Sequence, residues 1–380
     1  MQNKIKYISF YDLQNQKHKR VSSLAAISQV DYVCSVLESL NYQVQIVSPS
    51  WFLNVKDNTK FKSSYSEKTQ NNVDIKFAPS IISINKYLGY FNILLSLFWL
   101  FFYLIRNIKR DEKVIMYHSP WLVFPVFLAK KIKNFNLILE VEEIYSDCSS
   151  LHSFFDKLEK KAFKYANSFL FSTEFLAEKL AKNRSFAVFY GNYKVFPKLN
   201  TPINDGKIHL LYAGIIDSVK AGAFNAIESA LFLNEKYQMH IIGSGEVEKL
   251  KKRINEINAT SLCKIVFDGQ LSGDDYIKYC QSCHIGLSTQ KMEAGFVDSS
   301  FPSKILSYLG MGLQVVSCYV SVVVKSKIAD NVSFYDIDSP EKIAEAIQKI
   351  NIENSSSTQI KMENLHSDFK NQLNVLLNSK

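Results

Sequence analysis

The residues with the clearest chemistry lie in one segment, where a loop, a short helix and a glycine stop follow one another. The segment reads Phe301-Pro302-Ser303-Lys304-Ile305-Leu306-Ser307-Tyr308-Leu309-Gly310-Met311-Gly312, and the apolar run Gln314-Val315-Val316-Ser317 comes soon after it. Pro302 suits the start of a helix, because its missing N–H has no partner there, and Gly312 suits the end. Ser303 and Lys304 then stand at a helix N-terminus, where backbone N–H groups, a hydroxyl and an ammonium converge. This combination predicts a site for a ligand that carries phosphate.

Other predicted strands in the second half of the chain also end in glycine. These glycines are Gly214, followed by Lys220; Gly243, followed by Ser244; and Gly269. A glycine after a strand lets a ligand approach the backbone, and a nearby lysine can reach the phosphates of that ligand. Taken alone, the Gly-Ser-Gly at 243–245 fits a tight strand-to-helix turn equally well. The order and spacing of all four strand ends are more specific than any one of them.

In the first half of the chain, acidic residues follow an apolar strand and a histidine ends another. Glu142, Glu143, Tyr145 and Asp147 come after the strand Asn136 to Val141, and His118 follows the strand Val114 to Tyr117. Ligands bind at the carboxyl ends of strands in doubly wound sheets, so Glu143 and Asp147 are placed to bond ligand hydroxyl groups. The alternatives are a solvated acidic loop and a structural histidine.

Two further polar residues in the first half of the chain are candidates for ligand binding. Arg20 ends the basic loop 16–20 after the first strand, where it is placed to contact a ligand phosphate. A solvated run of charge has the same pattern. Asn192 follows the strand that ends at Tyr190 and precedes a polar stretch, so we expect it to line a cleft.

Elements that position these residues alternate between strand and helix along most of the chain. Predicted strands at 7–10, 42–47, 114–117, 136–141, 166–171 and 185–190 are separated by helices, which indicates a doubly wound parallel sheet. A polar stretch at 196–206 resembles a linker, and the same alternation then restarts at Ile208. The fold class is therefore α/β, with two Rossmann-like domains at 1–200 and 207–350 and a final helix within 358–380.

Composition favours a folded protein with a cationic surface. The chain has 380 residues, 47% of them hydrophobic, and a net charge of +9. No nucleic-acid-binding fingerprint is present and the positive charge is spread along the chain, so a membrane surface or a phosphorylated substrate fits better than nucleic acid. The sequence starts directly in a strand, and most of its six cysteines fall in predicted elements. We therefore expect a cytoplasmic protein with reduced thiols.

One cysteine motif matches a known cofactor pattern. Cys280-Gln281-Ser282-Cys283-His284 has the spacing of covalent haem attachment. It also reads as the end of a helix that enters an apolar strand, and no second Cys or His pair has ligand spacing. We expect no metal and no cofactor.

The apolar stretch Tyr87 to Ile105 fits three interpretations. Its length just suffices to span a bilayer, and basic residues flank it. Its apolar character is lowered by Gly89, Asn92 and Ser96. Predicted strands of one domain also precede and follow it, and a spanning helix would place them on opposite sides of the membrane. A helix at the membrane interface and a helix packed on the domain remain open, and a true span is the weakest interpretation.

The order of motifs in residues 207 to 350 resembles glycosyltransferase family 4, and the first half resembles it more loosely. In that family an arginine and a lysine after a strand-end glycine hold the donor diphosphate. Lys220 matches the lysine, whereas Ile215 stands where the arginine is usual. The family's paired glutamates fall on Ser299 and Ser307, and the Phe-Pro-Ser-Lys run resembles a subgroup of capsule and exopolysaccharide enzymes. Glu293 and Asp298 are nearby carboxylates that suit sugar hydroxyls, and solvated loop residues are the alternative interpretation.

This resemblance implies a GT-B architecture, in which two Rossmann-like domains face a cleft and the final helix packs back on the first domain. It implies a retaining, metal-independent hexosyltransferase that moves a sugar from a nucleotide diphosphate donor, preferably UDP, to a saccharide or polyprenyl-diphosphate-linked acceptor. The expected location is the inner face of a bacterial cell membrane. Donor-binding residues would be Gly214, Lys220, Gly243, Ser244, Gly269, Ser303, Lys304 and Ser307. Catalytic residues would be Glu143, Asp147 and His118, with Arg20, Tyr145 and Asn192 on the acceptor side.

Two alternatives belong to other classes. A nucleotide-sugar epimerase or dehydrogenase is disfavoured, because no glycine-rich fingerprint follows the first strand. A bilobal binding or scaffold protein that kept the fold and lost the chemistry is suggested by Ile215, Ser299 and Ser307. Turnover of a sugar nucleotide separates the enzyme from the scaffold.

Overall fold

The computed structural model describes residues 3–13, 17–52, 60–82, 85–145, 153–292, 301–352 and 356–379. It divides into two compact units. Unit 1 comprises Met1–Phe189 together with Phe369–Lys380, and unit 2 comprises Tyr190–Asp368. Asp147, Glu293, Asp298 and Ser299 lie outside the described residues.

Unit 1 is built on a mostly parallel sheet with helices between its strands. Its strands are β1 Asn3–Ile8, β2 Tyr42–Ser48, β3 Lys60–Lys62, β4 Tyr65–Lys68, β5 Asp74–Phe77, β6 Ser80–Ile82, β7 Lys113–Tyr117, β8 Asn136–Val141, β9 Ser168–Phe171 and β10 Phe186–Val188. Its helices are α1 Leu24–Ser39, α2 Lys86–Asn107, α3 Pro120–Lys133, α4 Ser153–Tyr165 and α5 Glu174–Leu180. The sheet order is β10-β9-β8-β7-β1-β2-β5-β4, and only β4 pairs antiparallel. The strand order therefore reverses direction between β1 and β7.

The core of unit 1 lies on both faces of this sheet. On one face, Leu139 of β8 and Phe169 of β9 are fully buried with Leu100 and Leu104 of α2. On the other face, the alternate residues Ile138 and Leu170 are buried as well. Strands covered on both faces read as continuous apolar runs, which is why the sequence marks β7, β8 and β9 clearly. Strands β3 to β6 were not anticipated, because they are three or four residues long and partly polar.

Unit 2 contains a fully parallel sheet of six strands. They are β11 Ile208–Ile216, β12 Tyr237–Gly245, β13 Lys264–Phe267, β14 Ile285–Ser288, β15 Gln314–Cys318 and β16 Val332–Tyr335. The helices are α6 Gly222–Ser229, α7 Val247–Thr260, α8 Gly273–Gln281, α9 Ser303–Gly310, α10 Ser321–Val324 and α11 Pro340–Gln348, with 3₁₀ turns at 230–232 and 329–331. The order β13-β12-β11-β14-β15-β16 reverses between β11 and β14.

A final helix, α12 at Ser356–Asn378, begins in unit 2 and ends in unit 1. In unit 1 the ring of Phe369 stacks on Phe189, with centroids 4.7 Å apart. The side-chain oxygen of Gln372 accepts a hydrogen bond from the backbone N–H of Val188 at 3.0 Å. The end of α12 therefore covers the edge strand β10.

The boundary between the units lies earlier than residue 200, where the polar composition predicts it. Residues from Tyr190 onward group with unit 2, and hydrogen bonds explain why. The N–H of Phe196 donates to the carbonyl of Gly310 at 3.0 Å, and that of Ile203 donates to the carbonyl of Ser282 at 2.9 Å. Backbone hydrogen bonds therefore attach the polar stretch at 196–206 to the rest of unit 2.

Candidate functional site

The strongest candidate site lies in unit 2, at the carboxyl ends of β11 and β14. The strand order reverses between these two strands, and ligands of doubly wound sheets bind at such a switch point. Helix α9 begins at Ser303, with Pro302 as its N-terminal cap residue. The predicted phosphate loop therefore lies in the position that the fold offers to a ligand.

Lys304 reaches from the start of α9 to the end of β11. A Cβ atom built on Gly214 would lie only 2.5 Å from the Lys304 Nζ, so the glycine leaves room for the ammonium. The same Nζ lies 3.8 Å from the centroid of the Tyr212 ring, in cation–π geometry. The Tyr212 hydroxyl donates to the carbonyl of Ile215 at 3.0 Å, which fixes the ring. Strand β11 thus holds the lysine in place.

The charge of Lys304 is poorly compensated by its surroundings. Burial and the positive charge of Lys220 lower the pKa of Lys304 to about 7, while Asp217 acts in the opposite direction. Within the described residues, no carboxylate lies within ion-pair distance of this ammonium. An ammonium that is removed from water and has no carboxylate beside it costs free energy that a bound anion would recover. The site is therefore prepared for negative charge.

The predicted strand-end glycines come together beside Lys304. Gly214 of β11 pairs with Gly243 of β12 in the sheet register. A Cβ on Gly243 would lie 1.8 Å from the carbonyl oxygen of Gly214, so no larger residue fits there. The N–H of Gly243 donates to the carbonyl of Gly269 at 2.8 Å, and Ser244 is exposed at the end of β12. These residues expose backbone at the same edge of the sheet.

Other predicted donor residues lie close in sequence but differ in their surroundings. Lys220 is exposed, and its backbone N–H donates to the Asp217 carboxylate at 2.6 Å. The Ser307 hydroxyl donates to the carbonyl of Ser303 at 3.2 Å, within helix α9. Ile215, in the position where the resemblance leads us to expect arginine, is 69% exposed and adds no charge.

Of the predicted residues of unit 1, His118 lies at the carboxyl end of β7, and Glu143 and Tyr145 follow β8. His118 is buried, and the other two are half-buried. His118 is 2% exposed, and its Nδ1–H donates to the carbonyl of Glu143 at 3.3 Å. Its Nε2 lies 3.4 Å from the Glu159 carboxylate, which accepts the backbone N–H of Tyr145 at 2.8 Å. Burial lowers the pKa of His118 to about 4. This environment favours the structural alternative for His118, which supports the loop that carries Glu143.

Two buried glutamates beside this loop were not selected as site residues from the sequence. Burial raises the pKa of Glu142 to about 7, and the Tyr117 hydroxyl donates to its carboxylate. Glu140 is fully buried, and burial raises its pKa well above the usual range; the Tyr7 hydroxyl donates to it. A glutamate inside the apolar run Leu139-Glu140-Val141 was the available signal for such burial.

Arg20 and Asn192 have local structural partners. Arg20 is 2% exposed, and its guanidinium donates to the backbone carbonyls of Ser50 and Ala78. Its Cζ atom lies 4.2 Å from the centroid of the Phe52 ring. These contacts correct both expectations for Arg20, because the side chain neither forms part of a solvated charge run nor is presented to a ligand. The Asn192 side chain accepts the N–H of Lys194 at 3.0 Å, in unit 2.

No protein-family model matches the chain, and no curated protein matches it in sequence. Solved structures do match it. The lipopolysaccharide outer core galactosyltransferase WaaB is 15% identical, with a TM-score of 0.63 over 98% of this chain and 99% of the other. A glycosyltransferase from Rickettsia africae is 14% identical, with a TM-score of 0.62 over 100% of both chains. A UDP-forming trehalose-phosphate synthase from Burkholderia xenovorans, in complex with glucose-6-phosphate, is 9% identical, with a TM-score of 0.63 over 99% and 100%.

At these identities the likeness concerns the fold. The chain has the α/β GT-B fold with two Rossmann-like domains, as the sequence predicted. Full coverage of both chains means that the fold is matched over its whole length rather than in one Rossmann-like half.

Proposed function

We propose that this protein is a glycosyltransferase that takes a sugar from a nucleotide diphosphate donor bound in unit 2. The observation that carries the proposal is the largely buried Lys304 ammonium, which lies against Gly214 at the switch point of the sheet. A diphosphate there would meet the N-terminus of α9, the ammonium of Lys304 and exposed glycine backbone. The structural neighbours include enzymes named as glycosyltransferases, and one is named as UDP-forming. These names support a sugar nucleotide, and UDP in particular, as the donor.

We further propose a retaining transfer that needs no metal. The bond between the anomeric carbon and the diphosphate oxygen breaks, and the acceptor hydroxyl attacks the same face of the sugar and gives its proton to the departing phosphate. Lys304 and Lys220 supply the positive charge that stabilises the departing diphosphate. The hexosyl class of the donor is part of this proposal, and it rests on the resemblance to glycosyltransferase family 4.

The acceptor in this proposal is a lipid-linked or free saccharide of a bacterial surface polysaccharide, such as a capsule, and the enzyme works at the cytoplasmic face of the cell membrane. Support comes from the Phe301-Pro302-Ser303-Lys304 motif and from the net charge of +9, which suits an anionic surface. Glu143, Tyr145 and Asp147 are the candidate acceptor residues, and they follow a strand of unit 1.

A panel of nucleotide sugars tests this function. One UDP-sugar should raise the melting temperature, since a ligand at about 100 times its Kd adds about 2.7 kcal/mol to the free energy of unfolding. The same compound should release UDP when lipid-linked saccharides are added. Stabilisation without UDP release would favour a binding or scaffold protein. Stabilisation by NAD, with none by sugar nucleotides, would favour an epimerase or dehydrogenase.

A further inference from the structure

Helix α2 of unit 1 exposes an unusual amount of aromatic surface. Among the described residues, its segment Tyr87–Asn107 is the one helix long and apolar enough to cross a membrane, by length and composition. Only 22% of its most apolar stretch is buried, which is low for the core helix of a soluble protein. The exposed large side chains are those of Tyr87, Tyr90, Phe91, Leu94, Phe98 and Phe102. They recur at helical spacing along one side.

The opposite side of α2 is attached to the rest of unit 1. Ser96, Leu100 and Leu104 are fully buried. The Asn92 side chain accepts the N–H of Ile81 at 2.6 Å and donates to the carbonyl of Ile81 at 2.7 Å. A helix that crossed a bilayer would lose these bonds and leave an amide in hydrocarbon. The contacts therefore favour a helix that lies on a surface over one that spans.

Two neighbouring helices also expose large apolar side chains. Helix α3 packs against α2, and α4 packs against α3. Helix α3 exposes four large apolar side chains at the same spacing, and α4 exposes one in its first turn: Trp121, Phe124, Leu128, Ile132 and Phe154. We call these residues and the six of α2 the apolar face of unit 1. Exposed large apolar side chains thus recur on three helices that are neighbours in the fold, whereas single exposed residues are ordinary on a protein surface.

The aromatic part of the apolar face lies at the carboxyl edge of the sheet. A helix between parallel strands runs opposite to them, so α3 and α4 begin where β7 and β8 end. Trp121 contacts Phe155 of α4 and Trp51 after β2, with centroids 4.9 Å and 6.3 Å apart. Trp51 in turn contacts Phe10, which follows β1, at 5.4 Å. Ring contacts thus join the apolar face to the edge that carries Glu143.

The charge around the apolar face suits an anionic partner. Helices α2 and α3 contain no aspartate or glutamate. Exposed cations lie in the last turns of α2 and α3, just after α2 and along α4: Arg106, Lys109, Arg110, Lys131, Lys157, Lys161 and Lys164. Two carboxylates of this region pair with cations, Asp111 with Arg110 at 3.8 Å and Asp156 with Lys160 at 2.9 Å. Helices that lie in a membrane interface combine apolar and aromatic residues on one side with lysine and arginine beside them.

We propose that the apolar face of unit 1 binds an anionic lipid bilayer, with α2 and α3 lying in the interface plane. Tyrosine and tryptophan suit that depth, because their rings are apolar and their polar atoms reach water. The carboxyl edge of the sheet then lies at the lipid surface. A lipid-linked saccharide would present its sugar at this edge, a consequence that rests on the proposed function. Membrane attachment itself does not depend on that function.

Vesicle sedimentation of the full chain tests the proposal. The wild type should pellet with vesicles that contain phosphatidylglycerol and bind far less to pure phosphatidylcholine. Raising the salt from about 0.1 M to about 1 M should release much of it, since the Debye length falls from about 10 Å to about 3 Å. The Phe91→Ser, Phe98→Ser double variant and the Phe124→Ser, Leu128→Ser double variant should each weaken partitioning about tenfold or more. Leu262→Ser, at an exposed leucine of unit 2, is the matched control and should bind as the wild type does.

Other results would overturn the proposal. Retention after carbonate washing would show a spanning helix. A stable dimer in light scattering, lost in the double variants while vesicle binding is absent, would show that a second copy of the chain covers the face. Stabilisation by a UDP-sugar reports on unit 2 and should persist in every double variant. Loss of vesicle binding with that stabilisation intact therefore tests the membrane proposal separately from the proposed function.

Discussion

Each sheet has a point where its strand order reverses, and the side chains at the two carboxyl edges differ in chemistry. The edge of unit 2 consists of glycine backbone and lysine, with the Lys304 ammonium held against Gly214. The edge of unit 1 consists of carboxylates, tyrosines and a histidine, of which His118 and Glu140 are almost entirely enclosed. The edge of unit 2 therefore presents positive charge to an anion, whereas the polar groups at the edge of unit 1 bond mainly to one another.

This difference shows how one fold supports two tasks. The glycines and lysines at the edge of unit 2 offer positive charge and close backbone approach, which a diphosphate would need under the proposed function. Buried carboxylates must be protonated or hydrogen-bonded, as Glu142 is to Tyr117, and such networks fix the shape of a loop. The buried polar groups of unit 1 therefore bond to one another and to backbone, as His118 does to the carbonyl of Glu143.

The largest expected effect is on the anion-binding edge. Lys304→Ala should reduce kcat/KM for transfer by a factor that corresponds to about 2–4 kcal/mol, the scale of losing a preorganised charge in the transition state. Steady-state kinetics at low and saturating donor measure it, and the exposed Lys325→Ala is the control. Near-wild-type turnover at both concentrations would remove Lys304 from the site.

Lowering the pH should reduce the stability of unit 1, because His118 at its carboxyl edge becomes protonated. Its pKa is about 4 in the folded state and 6.5 when exposed. The unfolded state therefore takes up the proton first, and stability present above pH 6.5 is lost as the pH falls towards 4, by about 3 kcal/mol. Urea unfolding of the wild type and His118→Gln across this range measures the difference. If the difference stays constant with pH, the nearby Glu159 carboxylate already holds the histidine in its charged form.

A substitution of Glu143 tests whether unit 1 contacts the acceptor while unit 2 alone binds the donor. If it bonds the acceptor, Glu143→Gln should reduce transfer by about 1.5–3 kcal/mol, the value of a hydrogen bond to a charged group. The affinity for UDP, measured by calorimetry, should stay unchanged, because unit 2 supplies the donor contacts. Equal losses in UDP affinity and in transfer would point to a folding defect or to a role in donor binding.

A substitution of Gly214 tests whether UDP binding depends on the position of the Lys304 ammonium. Gly214→Ala places a Cβ 2.5 Å from the Lys304 Nζ and should weaken UDP binding by about 1–2 kcal/mol. Gly206→Ala is a useful comparison, since its φ of +84° is also left-handed but its Cβ meets no atom within 4 Å. Similar UDP affinity in both variants would show that Lys304 tolerates displacement.

The smallest effect is the pH dependence of donor binding. Lys304 has a pKa of about 7 without an anion, and a bound diphosphate raises it. Binding then includes proton uptake, so the Kd for UDP should rise as the pH increases above 7, by at most about tenfold per unit. Lys304→Met should remove this dependence. A pH-independent Kd in the wild type would show that the ammonium is charged throughout.

Parts of the site were predictable because they are local. The loop at 302, the strand-end glycines and the start of α9 follow from turn and helix-start preferences within a few residues. The contact between Lys304 and Gly214 was not predictable, because it joins residues that are distant in sequence and meet only through the pairing of β11 with β14.

Arg20 shows a different limit of sequence patterns. Its neighbours Lys17, His18 and Lys19 make a solvated loop the natural expectation. The structure buries it because backbone carbonyls and the Phe52 ring compensate its charge. Its partners follow two separate strands, β2 and β5, and such partners leave no local pattern. The same holds for the bonds that attach residues 196–206 to the rest of unit 2.

The path of α12 bears on the order in which the chain folds during synthesis. Unit 1 is discontinuous, because Phe369 and Gln372 complete a structure whose other residues end at Phe189. All of unit 2 leaves the ribosome before these residues do. Unit 2 is continuous and can fold as soon as it emerges, whereas edge strand β10 stays uncovered until synthesis passes residue 372. A nascent chain halted before that point would therefore carry a finished second unit and an open first one, with an unprotected strand edge available for aggregation.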